Sequence, residues 1–303
     1  MRCGFVAVIG APNAGKSTLV NALVRAKVAI VSPKVQTTRM IVRGIAIRED
    51  AQIIFVDTPG IFAPRRRLDR AMVEAAWTGA EDADAILLIV DAADLAQKPG
   101  GHAASDSARA VQGLRRSGRR AGLLLNKVDA MKREALLPLA ARFEEEDVFD
   151  GIFMVSALKG EGLDDVAEWC TKQIPEGPWL YPADQVADIS SRLLASEITR
   201  EKIYLRLHDE LPYEVAVETE QWEERKDGSV KIDQIIYVRR DGQKAITLGK
   251  GGQTIKEIGA KARAELQQIL ARRVHLFLHV KLREDWPEAR EHFRALGLKY
   301  PEE

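Results

Sequence analysis

Cysteine is scarce: the 303 residues hold two, Cys3 and Cys170. Two thiols build neither a disulfide framework nor a thiolate zinc site, and unpaired cysteines are the ordinary state of a reducing compartment. Long apolar runs are missing as well. The longest strongly apolar stretch, Ala85 to Val90, falls far short of the roughly 20 residues that a membrane span requires. No basic-then-apolar leader opens the chain, which enters a strand pattern directly at Phe5–Ile9. A soluble, cytoplasmic monomer is the expectation. Net charge is also absent, with 45 Lys+Arg against 45 Asp+Glu. Spread evenly, that balance counts against a nucleic-acid partner, but a sum is silent about distribution.

What remains is ordinary globular composition, 46% hydrophobic and 30% charged, in a length suited to about two domains. Up to about residue 174, short unalternating apolar runs (Phe5–Ile9, Ile53–Val56, Ile86–Val90, Gly122–Leu125, Ile152–Val155) alternate with helical stretches such as Leu68–Gly79 and Leu163–Gln173. Such runs suit strands buried on both faces, and the alternation predicts an α/β fold with a mostly parallel sheet and helices on both faces. Ile174–Pro182 carries three prolines and a glycine, a linker composition. Beyond it the pattern predicts an α+β domain: a helix over 185–207, strands over 213–222 and 229–239, a short helix, a glycine loop, a helix over 252–270 and a strand over 274–282. The expected division is 1–174, a linker over 175–184, and 185–303. Neither an internal repeat nor a low-complexity tract is present.

Gly10-Ala11-Pro12-Asn13-Ala14-Gly15-Lys16-Ser17 fits the P-loop pattern between a strand and a helix. Its glycines let backbone N–H groups curl round phosphates, and the following helix start, with Thr18, adds a positive end. Lys16 is a charge for the β and γ phosphates, and the Ser17 hydroxyl is a candidate Mg²⁺ ligand. Asp57-Thr58-Pro59-Gly60 follows the second apolar run. Its carboxylate suits the Mg²⁺ shell, and the Gly60 N–H suits the γ phosphate. Asn126-Lys127-Val128-Asp129 follows a third run. Asp129 can accept from the ring N–H and the exocyclic amine of guanine, a pair that adenine does not offer. The Lys127 stem can lie over the base, Asn126 can brace the loop, and a backbone N–H of Ser156-Ala157-Leu158 can meet the guanine oxygen. Within Ser32–Arg39, Thr38 or Thr37 is the expected Mg²⁺ ligand of the triphosphate state; spacing alone does not separate them.

These elements stand in the order and spacing of translation-factor-like GTPases, and the Pro12-Asn13 loop with Gln36-Thr37-Thr38-Arg39 resembles the Era branch. The position that holds a water-orienting glutamine in signalling GTPases is Ile61, followed by Phe62. An apolar side chain cannot orient water, so slow hydrolysis that depends on a partner or an ion is expected. Resemblance to potassium-activated relatives makes Asn13 a candidate for holding K⁺. The catalytic candidates are thus Lys16, Thr38, Gly60 and Asn13. Arg65-Arg66-Arg67 reads as a solvated basic turn in a switch segment, with an arginine finger in cis or a partner contact as the other readings.

In the second half, Gly249-Lys250-Gly251-Gly252 lies between two predicted helices. A Gly-x-x-Gly loop so placed marks a KH module that clamps about four nucleotides of backbone. Lys244, Lys250 and Lys256 are its candidate phosphate contacts. Residues 239–273 hold nine basic and three acidic residues, +6, whereas 208–224 hold seven acids and no Lys or Arg. The zero total therefore conceals charge segregation, and RNA is expected on the 239–273 face. His275 and His279 read as polar residues on a strand face, with stacking on bases as the other reading, and Trp286 and Phe293 as core. A GTPase domain followed by a KH domain with this loop, together with Ala195–Lys202 and Glu210–Tyr213, resembles the Era family over the whole chain. That resemblance implies GTP/GDP and Mg²⁺ as ligands and binding of the 3′ end of 16S rRNA during assembly of the 30S subunit. It also implies peripheral contact with the inner membrane. An RNA-binding scaffold with structural nucleotide and a membrane-linked cell-cycle GTPase are the other readings.

Overall fold

The computed structural model describes residues 1–34, 36–208 and 211–301. They sort into two compact units: Met1–Ala29, Thr38–Asp188 and Leu296–Glu303 form the first, Ile30–Thr37 and Ile189–Ala295 the second.

In the first unit the chain runs β1 (Arg2–Ile9), α1 (Lys16–Val24), β2 (Val42–Arg48), β3 (Ala51–Asp57), α2 (Arg67–Glu81), β4 (Ala85–Asp91), α3 (Ala92–Gln97), α4 (His102–Ser117), β5 (Ala121–Asn126), α5 (Leu136–Glu144), β6 (Phe149–Val155) and α6 (Leu163–Gln173). The sheet order is β2-β3-β1-β4-β5-β6, parallel throughout except where β2 pairs antiparallel with β3. All residues of β3 and β5 are buried, which explains the unbroken apolar runs. The sequence pattern misses β2, whose Arg43, Gly44 and Arg48 interrupt its apolar residues. Arg43 is exposed and Arg48 half-buried, which the strand tolerates. The strand order reverses about β1, so the crevice beyond the carboxyl ends of β1, β3 and β5 is where a ligand is expected in an open α/β sheet.

Residues 175–188 belong to the first unit instead of forming a free linker. Gln52, fully buried, accepts from the backbone N–H groups of Leu180 (2.9 Å) and Tyr181 (3.0 Å) and donates to the Tyr181 carbonyl (2.8 Å). Ile45 N–H donates to the Val186 carbonyl and Asp188 N–H to the Arg43 carbonyl, each 2.9 Å. That added edge pairing delays the helix expected from residue 185. Ser190 caps it instead, accepting from Leu193 N–H. The carboxyl-terminal residues from Leu296 also return to the first unit, where Tyr300 lies against Arg67, ring centroid to guanidinium 5.1 Å.

The second unit runs α7 (Ser191–Arg206), β7 (Val215–Glu224), β8 (Val230–Val238), α8 (Asp241–Leu248), α9 (Gln253–Ile269), β9 (Val274–Leu282) and α10 (Arg290–Ala295). Its sheet order is β7-β8-β9, antiparallel then parallel. Alternate residues of β8, Ile232, Gln234, Ile236 and Val238, are buried. Ile232 packs with Ala195 and Ile198 of α7 and Ala262 and Leu266 of α9. Trp286 and Phe293 are buried, as expected of core. Asp209 and Glu210 of the acidic window and Val35 of the expected switch segment lie outside the described residues.

Candidate nucleotide site and RNA-binding loop

The loop after β1 is left-handed at Asn13 (φ 61°) and at Gly15 (φ 105°). Gly15 has a second constraint. A Cβ there would lie 2.3 Å from Asn126 Nδ2, so no larger residue fits between the phosphate loop and the base-side loop. Asn126 joins the two, donating to the Ala14 carbonyl (2.7 Å) and accepting from Ala157 N–H (3.0 Å). One buried amide thus positions the loops after β1, β5 and β6. It also uses the Ala157 N–H, while Ser156 N–H donates to the Glu161 carbonyl. Of the three residues expected near the guanine oxygen, Leu158 keeps a backbone N–H without a partner among the described residues.

Lys16 begins α1 and is buried. Its Nζ donates to the carbonyls of Gly10 (3.1 Å) and Ala11 (2.9 Å). Burial lowers its amine to about 8, the negative Asp57 opposing the shift. Asp57 ends β3, fully buried, and its Oδ2 accepts from the Ser17 hydroxyl at 2.7 Å. Burial raises its carboxyl to about 6, against the effects of Ser17, Lys16 and Thr38. The Ser17 and Thr38 hydroxyls are 2.8 Å apart. Thr37 turns elsewhere, its hydroxyl donating to the Lys34 carbonyl (2.7 Å) and lying 2.6 Å from Ser32 Oγ. Geometry therefore places Thr38, not Thr37, beside Ser17 and Asp57.

Thr58 is buried and donates to the Val8 carbonyl (2.8 Å), and Gly60 lies against Pro12. Ile61 is buried, its N–H on the Gly10 carbonyl (2.9 Å); no polar side chain stands at this position. Arg65 and Arg66 use their N–H groups on Asp69 Oδ2 (3.1 and 3.0 Å), which caps α2. Lys127 has φ 66°, and its Nζ pairs with Asp91 Oδ2 at 2.5 Å. Asp91 also accepts from Asp94 N–H. Sequence reading misses Asp91, although a carboxylate closing the apolar run Ala85–Val90 is a signal of the same kind as Asp57. Asp129 is exposed in a one-turn helix, Val128–Ala130.

In the second unit, Gly249, Gly251 and Gly252 all have positive φ (73°, 61° and 75°). A Cβ on Gly251 or Gly252 would meet open space, so conformation rather than packing requires glycine there. Lys250 and Lys256 are exposed and Lys244 half-buried, and none of them makes an ion pair among the described residues. The expected segregation is milder than the windows imply. Arg239 pairs with Glu214 (3.1 Å) and Arg272 with Glu224. His275 is half-buried and His279 exposed on β9.

A family profile described as a 50S ribosome-binding GTPase matches residues 5–127, and a KH-domain profile matches residues 210–287. Over 300 residues the chain is 58% identical to the GTPase Era of Sinorhizobium medicae, covering 99% of this chain and 94% of that protein. Over 306 residues it is 56% identical to the GTPase Era of Caulobacter vibrioides, covering 99% and 97%. The chain belongs to the GTPase Era family. Solved Era structures agree over almost the full length. Era in complex with MgGDPNP and nucleotides 1506–1542 of 16S ribosomal RNA matches with a TM-score of 0.91 and 38% identity, covering 98% of this chain and 99% of that one. Aquifex aeolicus Era bound to GDP and aluminium fluoride gives 0.90 and 39%, with the same coverage.

The donor set around Ser17, Thr38 and Asp57 suits a hard divalent cation such as Mg²⁺. Two hydroxyls and one carboxylate converge, all hard oxygen donors. Asp57 Oδ1 is buried without a hydrogen-bond partner among the described residues, a costly state that a cation or its water relieves. No helix among the described residues is long and apolar enough to cross a membrane.

Proposed function

We propose that this chain is a GTP-hydrolysing switch that binds the 3′ end of 16S rRNA and assists maturation of the small ribosomal subunit. It would work as a monomer in the cytoplasm, with peripheral contact at the inner membrane. The joint presence of an Era-type nucleotide site and a glycine-rich KH loop whose lysines make no ion pair among the described residues carries the reading. In it, Gly10 to Thr18 cradle the phosphates, with Lys16 as their fixed charge. Ser17, Thr38 and the shell of Asp57 would hold Mg²⁺, which would supply the positive charge that the transferred phosphoryl group needs. Thr58, Pro59 and Gly60 shape the γ-phosphate side. Asn126, Lys127, Asp129 and the Ser156–Leu158 turn select guanine. Gly249, Gly251 and Gly252 admit the RNA backbone, and Lys244, Lys250 and Lys256 neutralise phosphates.

The test is binding of a single-stranded oligonucleotide with the 3′-terminal 16S sequence, titrated against salt. Lys250→Glu with Lys256→Glu is expected to weaken binding at least roughly tenfold and to lower the salt slope by about 0.7 for each lost phosphate contact. Unchanged affinity and slope would remove the second unit from RNA recognition.

Turnover alone is expected to be slow, because the buried Ile61 leaves no side chain to orient water. K⁺ held by Asn13 is proposed to supply the missing charge. K⁺ should therefore raise the hydrolysis rate above that in Na⁺, and Asn13→Ala should abolish the difference; equal rates in both salts refute it.

A further inference from the structure

The strand β4 ends on Asp91 and the neighbouring β5 on Asn126, and these two residues face each other in the sheet register. Lys127 follows Asn126 directly. Its backbone is left-handed (φ 66°, ψ 34°), a conformation that residues other than glycine seldom take and that costs free energy. Its Nζ lies 2.5 Å from Asp91 Oδ2, so the side chain reaches from the base-side loop to the end of the adjacent strand. Both residues lie within the first unit, as do Asn126 and Asp129.

The carboxylate is itself fixed. Asp91 Oδ1 accepts from Asp94 N–H at 3.0 Å and so caps α3, which leaves Oδ2 for the lysine. The Asp91 side chain is 16% exposed and that of Lys127 38%. An ion pair so open to water adds little to folding stability, and the strained backbone at Lys127 subtracts from it. The pair is better explained by what it does to the lysine stem. A free lysine side chain samples many rotamers and loses that freedom when it is ordered. A stem already stretched between its own backbone and a fixed carboxylate has lost it before a ligand arrives, which lowers the cost of binding.

We propose that Asp91 is a positioning residue for guanine nucleotides: by holding the Lys127 ammonium, it lays out the lysine stem where the base is to rest. This rests on the reading that the Lys127 stem lies over the base. The stem would meet the base and not the phosphates, so the effect of Asp91 is equal for diphosphate and triphosphate. It also vanishes where Lys127 is absent. A pair that served only the fold would instead move the melting temperature of the nucleotide-free chain.

The experiment measures binding of fluorescent GDP and a fluorescent non-hydrolysable GTP analogue to the full chain with Mg²⁺, alongside melting of the nucleotide-free chain. Asp91→Ser keeps an oxygen to cap α3 but is too short and uncharged to hold the ammonium. It is expected to weaken both nucleotides about fivefold, the effect of ordering one long side chain on binding, with the melting temperature little changed. Asp91→Glu, which keeps the charge on a longer stem, should fall between. Lys127→Ala should also weaken both nucleotides, and adding Asp91→Ser to it should cost nothing more. If Lys127→Ala weakens binding while Asp91→Ser does not, or the two losses add in full, the inference is overturned and the reading of Lys127 stands. A loss confined to the triphosphate, or one that tracks a fall in melting temperature, overturns it as well. If Lys127→Ala leaves both affinities unchanged, Lys127 does not cover the base, and the inference goes with that reading. Should Asp91→Ser not fold, Asp91→Asn decides the same question by the same cycle with Lys127→Ala, since its one acceptor oxygen cannot serve both the α3 cap and the ammonium.

Discussion

Replacing Asp129 with asparagine is expected to exchange the base that the chain accepts. A carboxylate offers only acceptors, and guanine presents two donors on one edge, its ring N–H and its exocyclic amine. An asparagine amide offers one acceptor and one donor, so its N–H₂ would face the guanine amine. Two charge-assisted hydrogen bonds are lost and one donor–donor clash replaces them. At about 1.5–3 kcal/mol for each bond to a charged group, GTP affinity should drop about 10³-fold. Xanthine carries a carbonyl where guanine has the amine, which restores complementarity with the amide donor. Xanthosine triphosphate should accordingly bind the variant better than GTP does, and be hydrolysed by it. Little else is disturbed, because Asp129 is exposed in its turn and the loop is held by Asn126. Competition binding of the two triphosphates checks this; equal losses for both would show that Asp129 does not read the base.

The motifs that carry this chemistry are legible in the sequence because each is a short run fixed to a strand end. The phosphate loop, the Asp57 turn and the Asn126–Asp129 turn all follow buried apolar runs, and β3 and β5 are buried throughout. Three kinds of feature escape. The strand β2 carries arginines and a glycine, because Arg43 is exposed and Arg48 half-buried, while a Cβ on the buried Gly44 would lie 2.8 Å from Val24 of α1. The proline-rich segment reads as a linker by composition, yet Gln52 on β3 ties Leu180 and Tyr181 to the sheet. A glutamine inside a buried strand is the local sign, but its partner lies more than a hundred residues away. The choice between Thr37 and Thr38 depends on which hydroxyl a turned loop presents, and only the loop's anchoring decides it. Charge windows fail for a related reason. Arg239 and Arg272 belong to the basic window by position but are committed to Glu214 and Glu224 across the fold. Lys244, Lys250 and Lys256 about the glycine loop make no ion pair among the described residues, and neither do Arg240, Lys261, Arg263 and Arg273.

Lys16→Met should abolish tight binding of both GTP and GDP, and its pH dependence should identify the cause. Methionine keeps the apolar stem that the buried site packs and removes the charge that would meet the phosphates. Removing one partner of a buried charge pair costs about 2–5 kcal/mol, so affinity should fall by about 10²–10³ or more. In the nucleotide-free protein, burial lowers the Lys16 amine to about 8. Phosphate binding needs the ammonium form, so affinity should decline as pH rises through about 8, approaching tenfold per unit above it. Asp57 bears on the other side. Burial raises its carboxyl to about 6, and Mg²⁺ needs the carboxylate, so the Mg²⁺-dependent part of affinity should decline as pH falls through about 6. A plateau between the two values is the expected profile for the parent chain. The Lys16→Met variant should lose the decline at high pH and keep the one at low pH, since only the first arises from the amine. Persistence of the high-pH decline with the same midpoint in the variant would assign that limb to another group and withdraw Lys16 as the phosphate charge.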